Sequence, residues 1–240
     1  MERVIIQQCS NPEIGYFART STQGEEFELV QHFIEYYCSK FEKDTKKYRL
    51  MVFVEPKISS GFPDIVFASY LPSIENNWSN ERSRLDTCDL KVLSHIMHMN
   101  GCSGSNLIAG LRMPENQTLI SLEKLMDAKM ISRRNSLWMP RELRDIFSII
   151  RLISVEAKIN NISRVVEQSL LNTWFASESY ALTNSMRPQE DTLRAFEHRG
   201  IGLYGKGRNF TKLLEAQEFS LPSSYQSLQF NEWIAKYLFE

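Results

Sequence analysis

Three apolar runs rich in β-branched and aromatic residues dominate this sequence, and two of them carry a carboxylate. The runs cover residues 49–56, 62–68 and 148–158, and their residue types favour β-strands. Asp64 lies at the start of the second run, and Glu156 lies near the end of the third. Burying a charge in a strand is costly unless a partner compensates it. The fold must therefore supply a partner for each acid, or one partner for both.

Helical periodicity surrounds these strands. Residues 24–41 place apolar side chains at steps of three and four, which predicts a helix with one buried face. Two more helices are predicted at 162–175 and 191–198. Further short strands are predicted at 179–183, 201–204 and 212–216. Alternating strands and helices predict the α/β class, with a sheet flanked by helices.

The middle of the chain has a different pattern. A polar stretch around residue 80 indicates a boundary. Three short helical segments follow, and then two short strands around a polar turn within 130–139. This arrangement resembles a winged helix-turn-helix of the bacterial MarR type. The resemblance implies an inserted winged-helix subdomain at 80–144, between two core segments at 1–79 and 145–240.

The two acids and a nearby lysine suggest hydrolytic chemistry. Lys158 follows Glu156 by two residues, so both side chains project from one face of a strand. Hydrolysis of a phosphodiester is assisted by a divalent cation, and hard Mg²⁺ or Mn²⁺ takes carboxylate oxygens. Asp64 and Glu156 on neighbouring strands could share that cation. Alternatively, Asp64 is only a turn residue after Pro63, and Glu156 and Lys158 form a surface ion pair.

A helix, a strand pair bearing Pro63-Asp64 and a later strand bearing Glu156-Ala157-Lys158 together resemble the PD-(D/E)XK nuclease superfamily. The resemblance covers about residues 24–70 and 149–216. It implies a restriction endonuclease-like mixed sheet, metal binding by Asp64 and Glu156, and a catalytic role for Lys158. It also implies a metal-binding glutamate on the first helix, for which Glu26 is preferred over Glu25, and a catalytic or substrate-contacting role for Gln168.

One departure from the superfamily pattern is the 92-residue separation between Asp64 and Glu156. Adjacent strands are usually joined by much shorter connections. The inserted subdomain accounts for the excess. If it binds DNA, its third helix and wing present residues to the grooves and phosphates. The predicted contacts are Asn116, Gln117, Ser121, Lys124, Arg133 and Arg134.

Composition limits the partners. Lysine plus arginine (28) and aspartate plus glutamate (29) nearly balance, so any nucleic-acid binding must come from local patches. The four cysteines form no CxxC pair or regular framework, which favours a reducing compartment and a cytoplasmic location. A long apolar run is lacking, so neither a signal peptide nor a membrane partner is expected.

These observations predict a Mg²⁺-dependent endonuclease acting on nucleic acid, preferably double-stranded DNA. Cutting both strands would call for two active sites, so a homodimer is one expectation and a subunit of a larger complex is another. The alternative function is a DNA-binding regulator, or a complex subunit, on a catalytically silent nuclease fold. The inserted subdomain could also mediate dimerisation or hold another protein.

Overall fold

The computed structural model describes residues 2–20, 23–159 and 162–239. The chain divides into two compact units. The first comprises Met1–Leu71 and Ile149–Ser223, and the second comprises Pro72–Ser148 and Ser224–Glu240.

The elements alternate between strands and helices in the first unit and are mainly helical in the second. In chain order they are β1 (Val4–Gln7), α1 (Glu25–Asp44), β2 (Arg49–Val54), β3 (Ile65–Tyr70), a 3-10 helix (Pro72–Asn77), α2 (Asn80–Ser83), α3 (Thr87–His98), α4 (Gly104–Leu111), α5 (Glu115–Asp127), β4 (Ile131–Arg134), β5 (Leu137–Pro140), α6 (Leu143–Ile146), β6 (Ile149–Ala157), α7 (Ile162–Asn172), β7 (Glu178–Thr183), α8 (Glu190–Glu197), β8 (Gly202–Lys206), β9 (Phe210–Leu214) and α9 (Tyr225–Phe239).

The first unit contains a mixed sheet in the order β1-β2-β3-β6-β7-β8-β9. β2, β3 and β6 are antiparallel neighbours, whereas β6, β7 and β8 run parallel. β3 and β6 are adjacent although the whole second unit except its last helix lies between them in sequence. The predicted α/β class, with a mixed sheet flanked by helices, is confirmed.

Helix α1 covers one face of this sheet because its apolar residues form a single stripe. Leu29, Val30, Phe33 and Ile34 are buried in one cluster with inward residues of the central strands. Phe33 packs edge-on against Phe67, with ring centroids 6.1 Å apart. At roughly 1.5–3 kcal/mol for each fully buried large apolar side chain, this stripe is a main source of the unit's stability.

Helices α7 and α8 cover the other face. Val165 and Val166 of α7 and Phe196 of α8 are buried with Ala181 and Leu203 of the sheet. Alternate residues of β6 therefore face different helices. Val155 and Ala157 lie in the α1 cluster, whereas Ser154 donates a hydrogen bond to Ser179 Oγ on the opposite face.

The second unit is held together around a buried ion pair. Arg82, which is 2% exposed, donates two hydrogen bonds to the carboxylate of Glu232, at 2.8 and 2.7 Å. Strands β4 and β5 pair as a hairpin, whose turn residues Asn135 and Ser136 both have positive φ, as two-residue hairpin turns of type I′ require.

Helix α9 is the main reason why the two compact units differ from the domains predicted from the sequence. The segment 145–240 was assigned to the nuclease-like core, but residues Ser224–Glu240 belong to the second unit, as do 72–79 and 145–148. The reason is packing, since α9 buries Leu228, Phe230, Trp233 and Ile234 and carries Glu232, the partner of Arg82. In the described part of the chain, no helix is long and apolar enough to span a membrane.

Candidate active site

The sheet places Asp64 beside Glu156. Ile65, the first residue of β3, pairs with Val155 of β6, so the preceding Asp64 and the following Glu156 stand at the same level on adjacent strands. The backbone amide of Ala157 donates a 2.7 Å hydrogen bond to Asp64 Oδ2. Asp64 and Glu156, 92 positions apart in sequence, are thereby held together where the central strands β3 and β6 begin and end.

Glu156 is 3% exposed and is held by a residue that the sequence analysis missed. Asn172 Nδ2, at the end of α7, donates a 2.7 Å hydrogen bond to Glu156 Oε1. Among the described residues, nothing donates a hydrogen bond to Glu156 Oε2 or to Asp64 Oδ1. Each acid therefore keeps one carboxylate oxygen available to a further partner.

Burial perturbs the pKa of both acids, and the charge of Asp64 adds to the effect at Glu156. Loss of solvent raises the pKa of Asp64 to about 6, against the lowering effects of the Ala157 amide and the Lys158 charge. Loss of solvent, followed by the charge of Asp64, raises the pKa of Glu156 to about 8. Two carboxylates that resist ionisation together are stabilised by a bound cation or by a shared proton.

Lys158 directly follows β6, at the same end of the strand as Glu156. Its backbone amide donates to Leu182 O at 3.0 Å, which continues the pairing with β7 for one residue. Its Nζ donates a 2.7 Å hydrogen bond to Glu26 Oε2 on α1. The Lys158 charge also lowers the pKa of Asp64 and of Glu156, so it acts on both acids.

Arg19 and Glu55 add a second ion pair that the sequence analysis missed. Arg19 Nε donates to Glu55 Oε2, and Arg19 N donates to Glu55 O at 3.0 Å. Glu55 directly follows β2 and has a φ of 47°, a strained value for a residue other than glycine. The charge of Arg19 lowers the pKa of both Asp64 and Glu156. Glu55 could have been found from the sequence by the same signal as Asp64, namely an acidic residue next to an apolar strand.

The donor chemistry of Asp64 and Glu156 fits a hard divalent cation. Mg²⁺ is commonly held by one or two carboxylates, with water and substrate phosphate completing its coordination. Within residues 2–20, 23–159 and 162–239, no group of three or more histidine, cysteine, aspartate or glutamate side chains is placed to hold a metal ion. Glu26 is engaged by Lys158, so its predicted role as a third ligand stays a prediction.

Gln168 lies one turn before Asn172 on α7 and is half-buried. Its Oε1 atom is buried without a hydrogen-bond partner in the described part of the chain. An unsatisfied amide oxygen on the helix that holds Glu156 is consistent with contact to a ligand, but the predicted role of Gln168 stays a prediction.

Two of the predicted DNA contacts in the second unit have side chains that are buried or paired within the unit. Ser121 is 0% exposed, because it lies with Leu122 and Leu125 on the buried side of α5. Lys124 Nζ donates to Asp86 Oδ2 at 3.1 Å and to Asp89 Oδ2 at 3.0 Å, so its ammonium is paired at the start of α3, and its predicted DNA contact stays a prediction.

The other predicted DNA contacts are accessible. Asn116, Arg133 and Arg134 are exposed, and Gln117 is half-buried. The Arg133 guanidinium lies 5.2 Å from the ring centre of Trp138, which orients it on the hairpin. The outer side of α5 also carries exposed apolar residues, namely Leu119, Ile120 and Met126. DNA contact by this unit stays a prediction, for which the hairpin and the first turn of α5 offer the accessible residues.

Comparison of the chain with protein-family models, with curated proteins and with solved structures finds no match.

Proposed function

We propose that the protein hydrolyses phosphodiester bonds of nucleic acid, with DNA as the expected substrate, in a reaction that depends on Mg²⁺ or Mn²⁺. The observation that carries this proposal is the pairing of Asp64 with Glu156. Two carboxylates at the same level of adjacent strands, each with a free oxygen and a raised pKa, form a site that a cation would stabilise.

The cation's chemistry would complement that of the side chains. Held by Asp64 and Glu156, it would lower the pKa of a bound water and neutralise charge on the phosphate. The water oxygen would attack phosphorus and lose one proton, the bond from phosphorus to one sugar oxygen would break, and that oxygen would gain one proton as it leaves. Asn172 and the Ala157 amide fix the two carboxylates before substrate arrives.

Lys158 supplies a positive charge at this site. Its ammonium can orient the attacking water or stabilise the negative charge that develops on the phosphate oxygens. Glu26 holds the ammonium through a 2.7 Å hydrogen bond, which limits the conformations of the long lysine side chain. We assign Glu26 the role of positioning Lys158.

We also propose that the first unit has a restriction endonuclease-like core. The order helix, strand pair with Pro63-Asp64, strand with Glu156-Ala157-Lys158 and following helix resembles the PD-(D/E)XK superfamily, with a restriction endonuclease-like core. The segment 80–144 resembles an inserted winged helix and would position DNA through Asn116, Gln117, Arg133 and Arg134.

A cleavage assay tests the function. Labelled single-stranded and duplex oligonucleotides are incubated with the full chain in Mg²⁺, in Mn²⁺ or in EDTA, beside Asp64→Asn and Lys158→Met. We expect cleavage only with a divalent cation and a loss of at least about 100-fold in each variant. Equal cleavage by wild type and both variants would place the activity elsewhere. Binding of duplex without any cleavage would favour the regulator alternative.

A further inference from the structure

A cavity of about 290 Å³ opens beside the candidate active site, and Lys158 forms part of its lining. It lies where the parallel strands β7 and β8 meet the helices α7 and α8. In open sheets with parallel strands, ligands bind at the carboxyl ends of those strands. Thr183, the last residue of β7, lines this cavity. Glu156 pairs with Ala181 of β7, which lines the cavity, so a ligand there would lie next to Glu156.

The cavity combines an apolar floor with an uncharged polar wall. Val165, Phe196 and Leu203 are buried side chains of the floor. Thr183, Gln189 and Thr192 add hydroxyl and amide groups that donate and accept hydrogen bonds. A bare phosphate would make no apolar contact with the floor, and an aliphatic ligand would form no hydrogen bond with the polar wall. A flat heterocycle with hydrogen-bonding groups on its edge matches both.

Two basic residues complete the lining, namely Lys158, whose ammonium is paired with Glu26, and Arg187. Arg187 is exposed and forms no ion pair within the described part of the chain. The loop that carries it is shaped by two local hydrogen bonds, from Ser185 N to Thr183 Oγ1 and from Arg187 N to Ser185 Oγ, each 3.3 Å. A neutral ring together with one or two negative charges is the chemistry of a nucleotide.

We infer that this cavity binds an unpaired nucleobase next to the phosphate that is cleaved, so that the substrate is single-stranded nucleic acid or a strand with an extruded nucleotide. The inference rests on the proposed function for the position of the phosphate. A base within a duplex is stacked and has its pairing edge occupied, so it must leave the duplex before it can enter such a cavity. Cleavage would then favour unpaired strands over the intact duplex DNA expected from the sequence.

Binding without cleavage tests the inference separately from catalysis. Fluorescence anisotropy in EDTA compares a labelled single strand of about 12 nucleotides with the blunt duplex of the same sequence, at one salt concentration. A DNA arm and an RNA arm show which backbone is preferred. We expect at least one single strand to bind about ten-fold more tightly than the duplex.

Variants of α8 and of the loop before it locate this preference. Thr192→Phe fills the cavity from its wall, and Gln189→Ala removes an edge contact at an exposed position with little risk to folding. Asp191→Phe adds the same ring at an exposed neighbouring position outside the lining and serves as the matched control. We expect the preference for the single strand to disappear in Thr192→Phe, to weaken in Gln189→Ala and to persist in Asp191→Phe.

Three results would overturn the inference: equal binding of duplex and single strand, an unchanged preference in both Thr192→Phe and Gln189→Ala, or no binding of either probe. Circular dichroism of each variant separates a filled cavity from an unfolded chain. Binding is measured in EDTA and cleavage in Mg²⁺, so the two proposals can fail separately. If single strands bind more tightly in EDTA but no strand is cleaved in Mg²⁺, the nucleobase site is supported and the hydrolytic function is contradicted. If duplex and single strand are cleaved at equal rates, the hydrolytic function is supported and the nucleobase site is contradicted.

Discussion

Asp64 Oδ2 accepts a 2.7 Å hydrogen bond from the backbone amide of Ala157, the residue between Glu156 and Lys158. This bond joins the start of β3 to the end of β6, although most of the second unit separates them in sequence. Because the donor is a backbone group of the sheet, the position of the aspartate is set by strand pairing. The site is therefore built by the core of the first unit.

Replacing Glu156 by glutamine should stabilise the metal-free protein at high pH. The folded chain holds the Glu156 proton up to a pKa of about 8, whereas the unfolded chain releases it near the ordinary value. Wild-type stability should therefore fall as pH rises through this window, since the folded state binds more protons. We expect Glu156→Gln to gain on the order of 1–3 kcal/mol at pH of about 8.5 and much less at about 5.

Urea unfolding in EDTA at both pH values measures this effect. The exposed Glu197→Gln serves as the control and should leave the pH dependence unchanged. If the gain of Glu156→Gln were the same at both pH values, the buried acid would not carry the raised pKa.

Asn172→Ala should impair cleavage through Glu156. The Asn172 amide lowers the pKa of Glu156, so its removal should raise that pKa further and move the acidic limb of the cleavage profile to higher pH. We expect a roughly ten-fold loss at neutral pH that shrinks in alkaline buffer. A uniform loss at every pH would mean that Asn172 has only a structural role.

Glu26→Gln should lower the rate of cleavage without weakening cation binding, because Glu26 holds Lys158 in the structure. Mn²⁺ titration by calorimetry and single-turnover cleavage separate the two effects. Glu25→Gln changes the same charge one residue away and is the matched control. Weaker Mn²⁺ binding in Glu26→Gln alone would instead restore the role of metal ligand predicted from the sequence.

Arg82→Met should destabilise the second unit. Arg82 and Glu232 are both buried and share two hydrogen bonds, and removing one partner of such a pair leaves an uncompensated charge. The expected loss is about 3–5 kcal/mol in chemical unfolding. Arg144→Met breaks exposed ion pairs and should change stability little, so a similar loss in both variants would contradict this account.

Most elements of the fold could be predicted because the spacing of their apolar residues coincides with the positions that are buried. Helix α1 has a single apolar stripe, and β3 is an uninterrupted buried run. Helix α9 escaped prediction because it also buries polar residues, including Gln226, Asn231 and Glu232, so that no clear stripe marks it. Strand β1 was not predicted because it is short and, unlike the hairpin strands β4 and β5, has its partner strand far away in sequence.

The site residues could be predicted only where a charged residue lies next to an apolar strand in the sequence. Asp64, Glu156 and Lys158 stood out as acids and a lysine at strand ends. Arg19 and Asn172 gave no such signal, because their contacts depend on how loops and helices pack against the sheet. Ser121 was assigned to the wrong side of α5, where a shift of one residue in a helical pattern exchanges exposed and buried positions.

A crystal structure of the protein soaked in Mn²⁺, with anomalous scattering recorded at the manganese edge, tests the shared cation site most directly. We predict one anomalous peak within coordination distance of both Asp64 Oδ1 and Glu156 Oε2, and its loss in Asp64→Asn. A fully occupied manganese ion elsewhere, with the Asp64 and Glu156 oxygens left without one, would contradict the account.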